Sequence, residues 1–348
     1  MKSVRFHGDG VVSLDETPVP QIGPRDVLVA PTAVGVCGTD THIIDGEFMS
    51  SPPMALGHEI AGRIVEIGRD VTAVGVGDLI TVEPHLYCGT CFNCQTGSIH
   101  MCPTRRAPGV HLDGGMQEYL VIPDTLAYRV PDGVSDWEAA LTEPVACCVH
   151  GMDRLDAKSG MPLAIFGAGP IGAILVALAR LQGLGPIVVV EPRESRRELA
   201  LRFGADLALD PRAEDFDGRM RAVTDGVGFP YLIDAAGNPA VLESAIGFAS
   251  RGANVLLLGV APPSAVASVR PNEIYAKELT LLGTALNPYT HRRAANLLPR
   301  LGLERLERGE FALDDFEAAL TAQREGSFDK VFLCPQQDVS LASEGETR

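Results

Sequence analysis

Leu163-Ala164-Ile165-Phe166-Gly167-Ala168-Gly169-Pro170-Ile171-Gly172 is the stretch that decides how this chain is read. Four apolar residues run into a G-x-G-x-x-G motif, and an apolar run to Leu181 follows it. A short, wholly apolar run is the pattern of a strand buried on both faces. The glycine motif alone is common. Between a buried strand and the start of a helix it reads as a dinucleotide fingerprint. Gly167 permits a tight turn, Gly169 lets the backbone approach a pyrophosphate, and Gly172 lets helix and strand pack closely. Pro170 suits the first helical turn, where its missing N–H is not needed. The free N–H groups of that turn, Ile171 among them, are placed to hold phosphate oxygens.

Working outward, Ile187-Val188-Val189-Val190 is a second buried-strand candidate, and Glu191 stands at its end. A carboxylate there accepts hydrogen bonds from the ribose hydroxyls and repels a 2′-phosphate, so NAD is expected over NADP. Arg193, Arg196 and Arg197 pull the other way, and Arg196 is kept as a cofactor contact. Helix candidates alternate with further strands at 231–235, 254–258 and 279–283. That alternation predicts a doubly wound parallel sheet with helices on both faces. Gly259 and Val260, just after the 254–258 strand, complete the expected cofactor-binding set.

The flanking sequence has another texture. Residues 1 to about 150 are rich in Gly, Pro and β-branched residues, with strands expected at 27–36, 62–67 and 79–82. This predicts a mainly β domain with few helices. Ser135, with Glu138 three residues on, forms a capping box that should open one helix. Beyond Asn287-Pro288 the pattern gives helices at 292–301 and 314–324 and a strand at 330–334. The polar tail 336–348 is expected to be mobile.

The chain's 348 residues exceed what one core usually spans, so two domains are expected. A net charge of −16 makes nucleic acid and anionic membranes poor partners. Residues 1–12 lack a signal-peptide core, and the glycines of 167–172 interrupt the longest apolar stretch. A cytoplasmic protein is therefore expected. In a chain of this size and setting, eight cysteines point to metal binding or free thiols rather than disulfides.

Four of these cysteines follow C-x2-C-x2-C-x7-C: Cys88, Cys91, Cys94 and Cys102. Four thiolates close a tetrahedral zinc site with no open position, which makes it structural. An iron–sulfur motif would bring its fourth cysteine sooner. A second group, Cys37, His58, Glu59 and Glu143, is dispersed. Its spacing diagnoses nothing, and each member alone fits a core or surface role as well as a metal site.

Gly57-His58-Glu59-x2-Gly62-x5-Gly68-x2-Val71, followed by Gly77-Asp78, resembles the zinc signature of the zinc-containing medium-chain dehydrogenase/reductase family. The resemblance runs from about residue 3 to 335. Cys37-Gly38-Thr39-Asp40-Thr41-His42-Ile43 and Glu143-Pro144 are most similar to its sorbitol/polyol and threonine dehydrogenase branch. This implies a GroES-like catalytic domain (1–152 and 288–348, with the structural-zinc lobe at about 85–105). An inserted Rossmann domain (153–287) and an active site in the cleft complete the implied plan. It also implies two zinc ions per chain, the catalytic one held by Cys37, His58 and a carboxylate from Glu59 or Glu143. Thr39 is implied to start a proton relay, with His42 as a candidate next member. The implied reaction is hydride transfer from an alcohol to the nicotinamide. A polyol, sugar alcohol or cyclitol is favoured as substrate. L-Threonine, 2,3-butanediol and simple secondary alcohols are the alternatives, and a zinc- and nucleotide-binding protein without turnover is the remote rival. A homo-oligomer is expected, a tetramer before a dimer.

Overall fold

The computed structural model describes residues 1–336; residues 337–348 of the tail expected to be mobile lie outside the described residues. The chain divides into two compact units. One comprises Met1–Leu86, Arg105–Leu141 and the chain from Glu307; the other comprises Tyr87–Thr104 and Thr142–Leu306.

In the second unit, Leu163–Phe166 and Ile187–Val190 are strands with every residue buried. They lie inside a six-stranded sheet in the order Leu207–Leu209, Ile187–Val190, Leu163–Phe166, Phe229–Asp234, Ala249–Leu257, Thr280–Gly283. All its pairs are parallel. The order reverses beside Leu163–Phe166, whose Phe166 pairs with Val190 on one side and Asp234 on the other. A doubly wound sheet binds its ligand at such a reversal, beyond the carboxyl ends of the strands. Between strands run helices Pro170–Leu181 and Glu194–Phe203, the second ended by Gly204 in the left-handed region. The strand expected at 254–258 is interior, with Thr280–Gly283 as one edge of the sheet. The other edge, Leu207–Leu209, is a sixth strand of three residues that the sequence does not single out.

The first unit is built around the strand Asp26–Val36. It pairs antiparallel with Glu59–Ile67 on one side and with Lys330–Leu333 on the other. Its register sets Gly35 opposite both Glu59 and Phe332. The chain's amino end adds a hairpin, Lys2–Gly8 with Val11–Glu16, that sequence patterning does not single out. The capping box at Ser135 is present: its hydroxyl accepts from Glu138 N, and helix Asp136–Ala140 follows. One larger helix, Thr142–Leu155, is absent from the sequence reading. Its less buried positions, Cys147, His150, Asp153 and Arg154, share one face, and the rest of the helix is buried.

Candidate active site and cofactor site

The glycine turn has the geometry its sequence demands. Gly167 has φ +105°, a conformation that disfavours side chains. A Cβ on Gly172 would stand 2.2 Å from the Gly167 carbonyl oxygen, so only glycine lets the helix start this close to the strand. Gly169 is the N-cap of helix Pro170–Leu181, and a Cβ there would meet nothing, which leaves space in front of the turn. Ile171 lies in the helix's first turn. Gly259 N donates to Asp234 O at 2.8 Å, and a Cβ on Gly259 would lie 2.1 Å from Gly237 N. Val260, next to it, is exposed.

Glu191 is buried at the tip of Ile187–Val190. Its Oε2 accepts from Ala168 N at 3.0 Å and its Oε1 from Arg193 N at 2.9 Å. Each oxygen keeps a further lone pair for a ligand. Of the nearby arginines, Arg197 turns to the Glu191 and Pro192 carbonyls at 3.0 and 2.9 Å, and Arg196 is half-buried. Sequence reading missed Asp234. It is buried at the end of its own strand, and its Oδ1 caps the amides of Ala236 and Gly237.

In the first unit, Cys37, His58 and Glu59 bring one ligand atom each to within 4.8 Å of one another. The sheet explains the convergence. Cys37 follows the central strand and caps helix Gly38–Ile44, while His58 immediately precedes the neighbouring strand and Glu59 opens it. Two residues that sequence reading missed support them. Asp40, fully buried, accepts from Cys37 N at 2.8 Å and sets Oδ1 at 3.6 Å from His58 Nδ1. Lys330 Nζ binds Glu59 at 2.7 and 2.6 Å, and both side chains are buried. A Cβ on Gly35 would lie 2.1 Å from Glu59 Oε2, so glycine at 35 leaves the room in which that carboxylate lies. Signals for both existed. Asp40 is the third residue of a helix capped at Cys37, and Lys330 is the one charged residue heading an apolar run.

The electrostatics favour a cation among these residues. Burial by itself would lower the pKa of His58. The Asp40 carboxylate and Cys37 overcome that and hold it well above its ordinary value. A thiol, an imidazole and a carboxylate converging in a buried site match the donor set of a catalytic zinc with an open position. Glu143 is buried on helix Thr142–Leu155 of the other unit, and its Oε1 accepts from the Cys147 thiol at 3.4 Å. Thr39 Oγ1 lies 3.7 Å from Cys37 Sγ, and His42 Nδ1 lies 2.6 Å from Glu47 Oε2 at the surface.

The four lobe cysteines also converge, all within 4.8 Å and none in a disulfide. Cys88 and Cys94 sulfurs are 3.9 Å apart. Thiolates about 2.3 Å from a tetrahedral zinc stand about 3.8 Å from one another, so the cage fits the ion. Backbone N–H groups at Thr90 and Cys91, with the Thr90 hydroxyl, lower Cys88 to about 5. Desolvation and the neighbouring thiols push Cys94 up to about 12. The cage thus already favours thiolate character at one corner.

A dinucleotide turn, a mixed-donor metal site and a closed four-thiolate cage define a zinc-type oxidoreductase that uses a nicotinamide cofactor. Residues 23–132 match the alcohol dehydrogenase GroES-like domain and residues 170–301 the zinc-binding dehydrogenase domain. L-threonine 3-dehydrogenase of Pyrococcus horikoshii is 36% identical over 289 residues, 81% of each chain. Among solved structures, a zinc-binding dehydrogenase of Sinorhizobium meliloti bound to NADP is 35% identical. It superposes with a TM-score of 0.91 over 96% of this chain and 99% of that one. An Escherichia coli alcohol dehydrogenase complexed with NADH gives 28% and 0.89, over 96% and 99%. The chain belongs to the zinc-containing medium-chain dehydrogenase/reductase family, as its zinc signature implied. Among the described residues no helix is long and apolar enough to cross a membrane.

Proposed function

We propose that this enzyme oxidises a secondary hydroxyl with a second heteroatom on the neighbouring carbon, gives a ketone, and passes the hydride to NAD. Polyols, sugar alcohols and cyclitols are the favoured substrates. L-Threonine and 2,3-butanediol carry the same chemical unit, and the threonine dehydrogenase relatives make threonine the second reading. The observation that carries the proposal is the convergence of partly buried Cys37 with buried His58 and Glu59, backed by Asp40 and Lys330.

When bound, zinc supplies the Lewis acidity that brings the alcohol's pKa toward neutrality, and the nicotinamide accepts hydride. Cys37 and His58 hold the metal, with a carboxylate from Glu59 or Glu143 as further ligand. Asp40 fixes the ring of His58, the usual office of a carboxylate behind a metal-bound histidine. Lys330 Nζ pairs with both Glu59 carboxylate oxygens and so positions that side chain. Thr39 passes the alcohol proton from beside Cys37, and the His42–Glu47 pair at the surface delivers it to solvent. Cys88, Cys91, Cys94 and Cys102 hold a second, structural zinc. Glu191 receives the ribose diol of NAD on its remaining lone pairs, beside the turn made by Gly167, Gly169, Pro170, Ile171 and Gly172, with Arg196, Gly259 and Val260 completing the pocket. The enzyme works as a homo-oligomer, a tetramer before a dimer. Supporting this, the edge strand Thr280–Gly283 has no strand partner on its outer side among the described residues and exposes Leu281.

The test is a substrate panel of polyols, cyclitols, threonine, butanediols and simple alcohols with NAD and NADP, followed by absorbance of the reduced cofactor. The highest kcat/KM should fall on a vicinal diol or amino alcohol with NAD. A preference for isolated secondary alcohols would refute the heteroatom requirement. No turnover on any member by fully zinc-loaded protein would establish the binding-protein reading instead.

A further inference from the structure

The strand register brings two carboxylates together at the cofactor end of the sheet. Val190 pairs with Leu209, so the next residues, Glu191 and Asp210, leave adjacent parallel strands side by side, and Glu191 N donates to Leu209 O at 2.9 Å. Two like charges at neighbouring strand ends require cations, and two arginines supply them. Asp210 Oδ1 accepts from Arg212 N and Nε, both at 2.9 Å. Its Oδ2 accepts from the Arg212 guanidinium at 2.8 Å and from Arg197 at 3.5 Å. Both guanidinium groups then close back on the Glu191–Pro192 turn: Arg197 donates to both carbonyls, and Arg212 donates to that of Pro192. Asp210 keeps about a quarter of its side chain exposed, so the clamp borders solvent rather than the core.

This arrangement changes what Glu191 does. Its carboxylate holds backbone amides and touches neither arginine. Removing it would end its repulsion of a 2′-phosphate but would leave Arg197 and Arg212 tied to Asp210 and to carbonyl oxygens. A bidentate guanidinium–carboxylate pair is among the stronger polar contacts.

We propose that Asp210 is a specificity-determining residue for the nicotinamide cofactor. It holds Arg197 and Arg212 against the Glu191–Pro192 turn and so withholds from the cofactor the two cations that would otherwise bind a 2′-phosphate. Discrimination is then a two-part device, repulsion by Glu191 and sequestration by Asp210, and neither part suffices to reverse it. The proposal rests on the placement of the adenosine ribose at Glu191.

The experiment is a fluorescence titration of NADH and NADPH against wild type, Glu191→Ser, Asp210→Asn and the double variant, with melting curves as a control on folding. Asp210→Asn is near-isosteric on an exposed rim; Asp210→Ser is the second choice of variant. Glu191→Ser should weaken NADH binding and improve NADPH binding only a few-fold. Asp210→Asn alone should change either affinity little, because Glu191 still repels the phosphate. The double variant should bind NADPH at least tenfold tighter than the product of the two single effects. Adding Arg197→Met should cancel most of that gain. Purely multiplicative effects, or a full switch by Glu191→Ser alone, would overturn the role of Asp210. A wild type that already prefers NADPH would refute the NAD reading separately. The clamp would still be judged by whether Asp210→Asn raises the NADPH-to-NADH affinity ratio in the Glu191→Ser background.

Discussion

The cysteine lobe and the Cys37–His58–Glu59 cluster are both built to hold a cation, in opposite ways. The lobe takes all four ligands from one fifteen-residue stretch, 88 to 102, and stabilises its thiolates with local donors such as Cys91 N and the Thr90 hydroxyl. The cluster collects ligands from the ends of separate strands, with His58 and Glu59 buried and Cys37 partly so. Their charges are met by two further residues, Asp40 from the helix that Cys37 caps and Lys330 from a third strand far along the chain. A local cage depends on its loop and its metal. An assembled site depends on the whole sheet, and the sheet does not depend on it in return, because the strands Asp26–Val36 and Glu59–Ile67 already bury an apolar core.

The sharpest way to break this contrast is to remove one ligand from each. His58→Ala should leave a folded protein and lower kcat by on the order of a thousandfold, since several kcal/mol of transition-state stabilisation goes with the metal. Cys91→Ser should cut stability more than chemistry, because a closed four-thiolate site contributes its binding energy to folding. Metal analysis, melting curves and steady-state rates on the two variants check both halves. Wild type carrying fewer than two zinc ions per chain would remove the comparison altogether.

The next effect concerns the buried ion pair. Lys330→Met should cost about 3–5 kcal/mol of unfolding free energy, the usual result of stranding one buried charge. Lys330→Met with Glu59→Gln should recover a good part of that, since no charge is then stranded. Urea denaturation of the two single variants and the double gives the coupling energy directly. Equal and additive losses would mean that the pair does not act as a unit and that Glu59 is stabilised by something other than Lys330.

The same contrast explains what the sequence made legible. The lobe was readable because its spacing is its geometry. The dinucleotide turn was readable because Gly167, Gly169 and Gly172 each answer a local steric demand. Five strands of the six-strand sheet followed from alternating apolar runs, with ends displaced by a residue or more: 231–235 became Phe229–Asp234 and 254–258 became Ala249–Leu257, while the three-residue edge strand Leu207–Leu209 was too short to mark itself. The catalytic cluster came only through family resemblance, because nothing in the linear spacing of 37, 58 and 59 reveals that strands 26–36 and 59–67 pair at Gly35. Lys330 could not be paired with Glu59 from sequence, since their contact spans 271 positions and depends on a third strand between them. Helix Thr142–Leu155 carries a two-faced pattern, with Cys147, His150, Asp153 and Arg154 along its less buried side, so it was legible in the sequence and was not read out.

The smallest expected effect separates acid loss of metal from acid loss of the fold. Acid protonates the lobe thiolates and the cluster's ligands, so both sites release metal as pH falls, and instability at low pH cannot by itself be assigned to either. His291 offers an internal reference outside both sites. It is buried, and burial lowers its pKa from 6.5 to about 3. A base whose folded pKa is depressed stays neutral in the native state while the unfolded chain takes up its proton. Its contribution is therefore fully present above pH 6.5 and is lost as pH falls from there toward the folded value. Between roughly pH 6 and pH 5 the loss from this one group is about 1 kcal/mol. His291→Leu, similar in volume and without a titrating group, should flatten the stability profile by that amount over this interval in metal-free protein. The check is urea unfolding at both pH values, with chelator present, for wild type and variant. An unchanged difference between the two pH values would show that His291 does not titrate as its burial requires, and the acid limb would then belong to other groups of the apo-protein.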